Sequence, residues 1–253
     1  MDIHQQLIHG NGAQMLDLAD STADLILTGP PYFPNSVEDH LRAGVSDKDD
    51  LASLELEIQT YAWSLRPVFE ECNRVLRPGG KIILQTRDVR LRHILVGVEG
   101  IHRQIVESLG IGLFTKHIWR PSFLNLARRR LSNSLNNFGP MPFDPEVFLV
   151  FVKPGGSCTG SPSAEDIELL TSDVMITPPG VLKAPHRFQA PLPVIRAMIR
   201  SHSNENELVV DPFAGGGTIL LACSCLDRRG IGYEIDSEMI RLAKTNLGIV
   251  LNE

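Results

Sequence analysis

Cysteine is scarce in this chain, with four residues at positions 72, 158, 223 and 225, and none of their spacings matches a metal site. They read as free thiols, and Cys223 and Cys225 as part of a packed helix. No run approaches the eighteen or so apolar residues that a membrane span needs. The opening Met1-Asp2-Ile3-His4-Gln5-Gln6 lacks the basic start and apolar block of a signal peptide, so a cytoplasmic protein with neither membrane nor metal partners is expected. No Gly-Lys-Ser/Thr follows a glycine cluster, which argues against a loop built for a triphosphate. No repeat of solenoid period is present. Positive charge is also in deficit, with a net charge of -6, and that is unfavourable for a partner held by phosphate neutralisation.

The charge is unevenly spread. Lys116, His117, Arg120, Arg128, Arg129 and Arg130 cluster, whereas acids crowd the segment from Glu38 to Glu57. That distribution predicts a polarised surface with Lys116, Arg120, Arg128, Arg129 and Arg130 as nucleic-acid contacts, although spacing alone reads equally well as a solvated charge run. With 253 residues, 43% of them hydrophobic, the chain can bury one substantial core, and a single domain over 1–253 is expected.

The most informative stretch runs from Leu208 to Thr218. Leu208-Val209-Val210 reads as a buried strand ending in Asp211, Gly215-Gly216-Gly217 lets backbone approach a ligand closely, and Thr218 opens a helical pattern through Ile219, Leu220, Ala222 and Leu226. Strand, glycine turn and helix form the nucleotide half of a doubly wound α/β sheet. About twenty residues after the loop, Gly230-Ile231-Gly232-Tyr233 reads as a second strand ending in Glu234 and Asp236. That is the spacing at which a carboxylate accepts ribose hydroxyls, with Glu234 the candidate.

Other elements follow from periodicity. Strands are predicted around Gln6 to His9, over Ala23 to Thr28, Lys81 to Gln85, Gly112 to Trp119 and Glu146 to Val152. Helices are predicted from Leu51 to Leu76, with a kink or break at Pro67, from Ile101 to Leu109, and through Leu192, Ile195, Met198 and Ile199. Residues 33–50 are polar and irregular and suit a flap. Residues 122–142 mix arginines, asparagines, Phe123 and Phe138, as a nucleic-acid backbone would require, or form an ordinary surface loop. Residues 153–180, rich in Gly, Ser, Pro and Thr, read as a linker-like insertion.

Asp211-Pro212-Phe213-Ala214-Gly215-Gly216-Gly217-Thr218 followed by Gly232-Tyr233-Glu234-Ile235-Asp236 resembles the S-adenosylmethionine loop of DNA amino-methyltransferases. Thr28-Gly29-Pro30-Pro31-Tyr32, after a separate strand, resembles their reacting loop. The order of the two loops is similar to the permuted β group of that family, in which the catalytic half precedes the cofactor half of a Rossmann-like class I fold. The resemblance implies S-adenosylmethionine as cofactor, held by Asp211, Pro212, Phe213, Gly215, Gly217, Thr218, Glu234 and Asp236, with His186 and Pro191 at its methionine end. Ala190 stands where a lysine is frequent. Double-stranded DNA is the implied substrate, a restriction partner and a homodimer are possibilities, and 122–142 and 153–180 are candidate recognition elements.

Within that resemblance, the catalytic residues would be Thr28, Gly29, Pro30, Pro31 and Tyr32. The Thr28 frame is closest to the version associated with N4 of cytosine. Gly29 departs from it, since family members usually place Asp, Asn or Ser there. An exocyclic amine is a poor nucleophile because its lone pair is delocalised, and acceptors that hold its N–H groups relieve this. Without a side chain at 29, the carbonyl of Gly29 or Pro30 supplies one acceptor and Thr28 Oγ or water the other, with Tyr32 stacked on the extruded base. Loss of one such group costs about 2–4 kcal/mol of transition-state stabilisation. No cysteine follows a proline, so a covalent ring-carbon mechanism is not indicated. Methylation of N6 of adenine, RNA as substrate, and a non-catalytic cofactor-binding partner subunit remain open alternatives.

Overall fold

A computed structural model describes residues 5–31, 33, 51–91, 94–120, 145–172, 174–176 and 191–248. In chain order the elements begin with β1 (Gln5–His9), β2 (Ala23–Thr28), α1 (Leu51–Val75), β3 (Leu76–Thr86), β4 (Val89–Leu91) and β5 (Ile94–Val96). Then come α2 (Val98–Ser108), β6 (Gly112–Arg120), β7 (Glu146–Val152), α3 (Ala164–Thr171) and β8 (Met175–Ile176). The last are α4 (Leu192–His202), β9 (Leu208–Asp211), α5 (Thr218–Cys225), β10 (Arg229–Glu234) and α6 (Ser237–Asn246).

Among the described residues eight strands form one sheet in the order β1-β10-β9-β2-β3-β7-β6-β8, and β4 pairs with β5 as a separate hairpin. Only β7 opposes the common direction. Parallel strands need covered faces, and the central ones are apolar along their length: Val209, Val210, Ile26, Leu27, Ile82 and Ile83 are all fully buried. One face packs Leu65, Phe69 and Cys72 of α1 and Val106 of α2 onto Ile26, Ile82 and Val210. The other packs α4 and α5, through Ile195, Met198, Ile199, Ile219 and Ala222, onto Leu25, Leu27, Ile83 and Val209. This is the doubly wound architecture expected from the glycine loop.

Topology places the crevice. From β9 the chain passes through α5 to β10 on one side, and from β2 through α1 to β3 on the other, while β9 and β2 pair directly, Leu25 opposite Val209 and Ile26 opposite Val210. Connections that diverge from adjacent parallel strands leave a gap outside their carboxyl ends, where ligands collect in open α/β sheets. Those ends carry Gly29-Pro30-Pro31 and Pro212 to Gly217.

Three expectations need correction. α1 runs unbroken through Pro67, which lies on the exposed side, as does Trp63, 75% exposed, whose carbonyl the proline leaves without its intrahelical donor. β3 starts at Leu76, paired with Ala23, ahead of Pro78 and Gly79, and an irregularity in the register absorbs the turn residues before Lys81 meets Leu25. The segment 153–180 is more than a linker. Ser163 Oγ accepts from the Asp166 amide and Asp166 returns a bond to the Ser163 amide, a capping box that starts α3, and β8 then pairs with β6. The flap at 34–50 and the basic loop at 122–142 lie outside the described residues.

Candidate active site

The two loops meet through a hydrogen bond. Thr28 Oγ1, fully buried at the end of β2, donates to Asp211 Oδ1 at the end of β9 over 2.6 Å, across 183 positions of sequence. The Phe213 amide donates to the same oxygen at 3.1 Å. Asp211 is 2% exposed, and burial pushes its carboxyl up to about 7, against the downward pull of Thr28 and the Phe213 amide.

The glycine loop is braced on three sides. Gly215 and Gly217 have φ of +49° and +78°, a conformation that side chains rarely adopt. A Cβ on Gly217 would press on Ala243 of α6 at 3.0 Å, whereas one on Gly215 would meet nothing nearer than the Phe213 carbonyl at 4.0 Å. Asn246 Nδ2, at the end of α6, donates to the Gly216 carbonyl at 2.8 Å. From the N-terminal side, the turn at Gly10-Asn11-Gly12 lies on Pro212 so closely that a Cβ on Gly12 would fall 2.6 Å from the Pro212 carbonyl oxygen.

Glu234 ends β10 beside this loop. Its Oε2 accepts from the Gly215 amide at 2.8 Å, and Oε1 from the amides of Ile235 and Asp236 at 2.8 and 2.9 Å. A carboxylate offers about four acceptor sites, so Oε2 keeps capacity for a further donor. Asp236 has a different part, since its Oδ1 caps α6 by accepting from the Glu238 amide at 2.7 Å.

On the other side of the crevice Gly29 is exposed, Pro30 buried and Pro31 half-buried. A Cβ on Gly29 would have ordinary contacts only, 3.9 and 4.0 Å from the Gln85 carbonyl oxygen and Cβ. The Pro31 carbonyl accepts from Tyr61 Oη of α1 at 2.8 Å. Gln85, on the strand next to β2, donates from Nε2 to Glu146 Oε2 at 2.5 Å, and both side chains are buried.

Thr28, Gly29, Pro30, Pro31, Asp211, Pro212, Phe213, Gly215, Gly217, Thr218 and Glu234 therefore converge on the carboxyl ends of β2, β9 and β10. Pro191 is buried and caps α4, accepting from the Val194 and Ile195 amides. Lys116 forms a surface ion pair with Glu99 at 3.0 Å, and Arg120 is exposed at the end of β6. Tyr32, Arg128, Arg129, Arg130 and His186 lie outside the described residues. Among the described residues no group of His, Cys, Asp and Glu is arranged to hold a metal, and no helix is long and apolar enough to cross a membrane.

Sequence reasoning missed Gly12, Tyr61, Gln85, Glu146, Ala243 and Asn246. A polar residue at a strand end was the available signal for Gln85 and Glu146, but it becomes informative only once β7 is known to run antiparallel. The Asp236-Ser237-Glu238 start with Ile240 and Ala243 four and seven residues on marks α6.

Residues 23–245 match the model of a family of N6 and N4 methyltransferases described as DNA methylases. The type II methyltransferase M.HpaI of Haemophilus parainfluenzae is 29% identical over 98% of this chain and 76% of its own length. Among solved structures, a DNA modification methylase, so described, from Thermus thermophilus in complex with S-adenosyl-L-methionine is 22% identical and covers 97% of this chain and 93% of its own, with a TM-score of 0.74. The cytosine-N4-specific PvuII DNA methyltransferase is 16% identical over 98% of this chain and 86% of its own, with a TM-score of 0.71, a likeness of fold. The joined loops, the switch-point crevice and the match over residues 23–245 together establish that the chain belongs to the N6/N4 DNA methylase family.

Proposed function

We propose that this DNA methyltransferase moves a methyl group from S-adenosylmethionine to an exocyclic amine of a base turned out of double-stranded DNA, with N4 of cytosine the preferred acceptor. The Thr28–Asp211 hydrogen bond carries the reading, since it locks a cofactor-type loop and an amine-type loop into one crevice. The residues present fit the cofactor. Open space around a left-handed Gly215 admits a ligand against backbone, and Glu234 Oε2 can accept from a ribose hydroxyl. Pro191 and the outlying His186 would lie toward its methionine end. When bound, S-adenosylmethionine supplies an electrophilic methyl group on a sulfonium.

The chain's own contribution is placement and polarisation. Thr28 is fully buried with its proton given to Asp211, which suits a strut between the loops better than an acceptor for the amine. With the Pro31 carbonyl taken by Tyr61, the carbonyls of Gly29 and Pro30 are left as acceptors for the amine, and Tyr32 would stack on the base. Cytosine is favoured by the Thr28 frame of the Pro-Pro loop. Incubation of DNA and RNA with protein and cofactor, followed by mass spectrometry of nucleosides, tests this. N4-methylcytosine in DNA is expected. N6-methyladenine alone rejects the choice of base, product in RNA alone rejects the choice of polymer, and cofactor binding without product supports a partner subunit instead.

A further inference from the structure

Pro30 and Pro31 have no N–H, so the reacting loop cannot be pinned by amide donors of its own at these positions. An outside donor does it. Tyr61 Oη lies 2.8 Å from the Pro31 carbonyl oxygen, and the Tyr61 ring packs on Phe33, the residue after Tyr32, with centroids 5.0 Å apart. Behind the hydroxyl stands His102 of α2, 1% exposed, with Nε2 at 2.7 Å from Tyr61 Oη.

One arrangement of protons makes hydrogen bonds of both contacts. A carbonyl can only accept, so the single Tyr61 proton goes to Pro31, and His102 must then donate from Nε2–H to the Tyr61 oxygen. Nδ1 of His102 is left as a bare lone pair, and it is a buried atom with no hydrogen-bond partner. Burial agrees with a neutral ring, holding His102 down to about 4 and pushing the Tyr61 phenol up. Phe69 packs against the same imidazole, so the pair sits in an apolar layer where phenylalanine and leucine would fill the space without polar atoms to satisfy.

We propose that Tyr61 and His102 are positioning residues for methyl transfer. The relay from His102 Nε2–H through Tyr61 Oη–H fixes the Pro31 carbonyl, and so holds the preceding carbonyls of Gly29 and Pro30 in place for the base. Each bond in such a chain strengthens the next, so the imidazole acts on the loop without touching substrate. The proposal rests on the reading of 28–32 as the reacting loop.

Tyr61→Phe keeps the ring and removes the donor. Its kcat is expected to fall about a hundredfold, the cost of a small misplacement of reacting groups, with calorimetric affinity for S-adenosylmethionine within about twofold of wild type. His102→Leu should lose part of that activity, and His102→Gln, which keeps an N–H donor, should regain some of it. The Tyr61→Phe/His102→Leu double variant should be no slower than Tyr61→Phe alone, since both act through one carbonyl. Wild-type kcat in Tyr61→Phe, or losses that add in full, would overturn the proposal. Should the wild-type protein methylate no nucleic acid, the functional reading fails separately, and the relay is judged by hydrogen exchange. Faster exchange of the Tyr32 and Phe33 amides in Tyr61→Phe upholds it, and unchanged exchange overturns it.

Discussion

Gly29 has no side-chain acceptor, yet nothing about its backbone demands glycine, because a Cβ there would make only ordinary contacts beside Gln85. Gly29→Ser is therefore expected to fold normally and to speed single-turnover methyl transfer by about tenfold or more, a conservative share of the 2–4 kcal/mol that one such group contributes elsewhere. A slower Ser variant would mean that the loop works through backbone carbonyls alone. Asp211 is the other residue with a measurable signature. Its carboxyl is raised from 3.8 to about 7 by burial, so the folded state binds its proton more tightly than the unfolded chain does. The associated stability is fully present below the unfolded value and is lost as pH rises through about 7. Urea midpoints measured from about pH 5 to about pH 8 should decline in the wild type and decline less in Asp211→Asn.

At the scale of elements, α1 carries an interior proline that its packing overrides. Leu65, Val68, Phe69 and Cys72 hold the buried stripe on both sides of Pro67, while Pro67 itself and Trp63 one turn before it are exposed. Replacement by alanine restores an amide donor. Pro67→Ala is expected to stabilise the fold by about 1–2 kcal/mol, less than the full helix-interior penalty because proline also restricts the unfolded chain, and to leave methyl transfer unchanged. The urea midpoint and a methylation rate check both parts. α3 makes the opposite point. Its Ser163-x-x-Asp166 cap was legible, but the surrounding Gly, Ser and Pro masked it, and the helix is held by Arg200 of α4, which pairs with both oxygens of Asp166.

For the whole molecule, the crevice at the β9–β2 junction joins segments from both ends of the chain, and a ligand seated there should stabilise all of it. S-adenosylmethionine at about a hundred times its dissociation constant should add about 2.7 kcal/mol of stability, seen as a rise in Tm, and Glu234→Ala should abolish most of the rise at the same concentration. The pieces of this site were written locally. Apolar runs closed by Asp211 and by Pro30-Pro31, glycines at 215 and 217, and Glu234 some twenty residues on are short-range patterns, set by backbone sterics and strand periodicity, and they determined the fold class and the two loops. The tertiary structure decided what each group touches: Thr28 committed to Asp211, Gly12 against Pro212, Gln85 beside Gly29, Tyr61 on the Pro31 carbonyl. Those pairings depend on which strands are neighbours and which way β7 runs. Long-range burial settles that, and no local pattern encodes it.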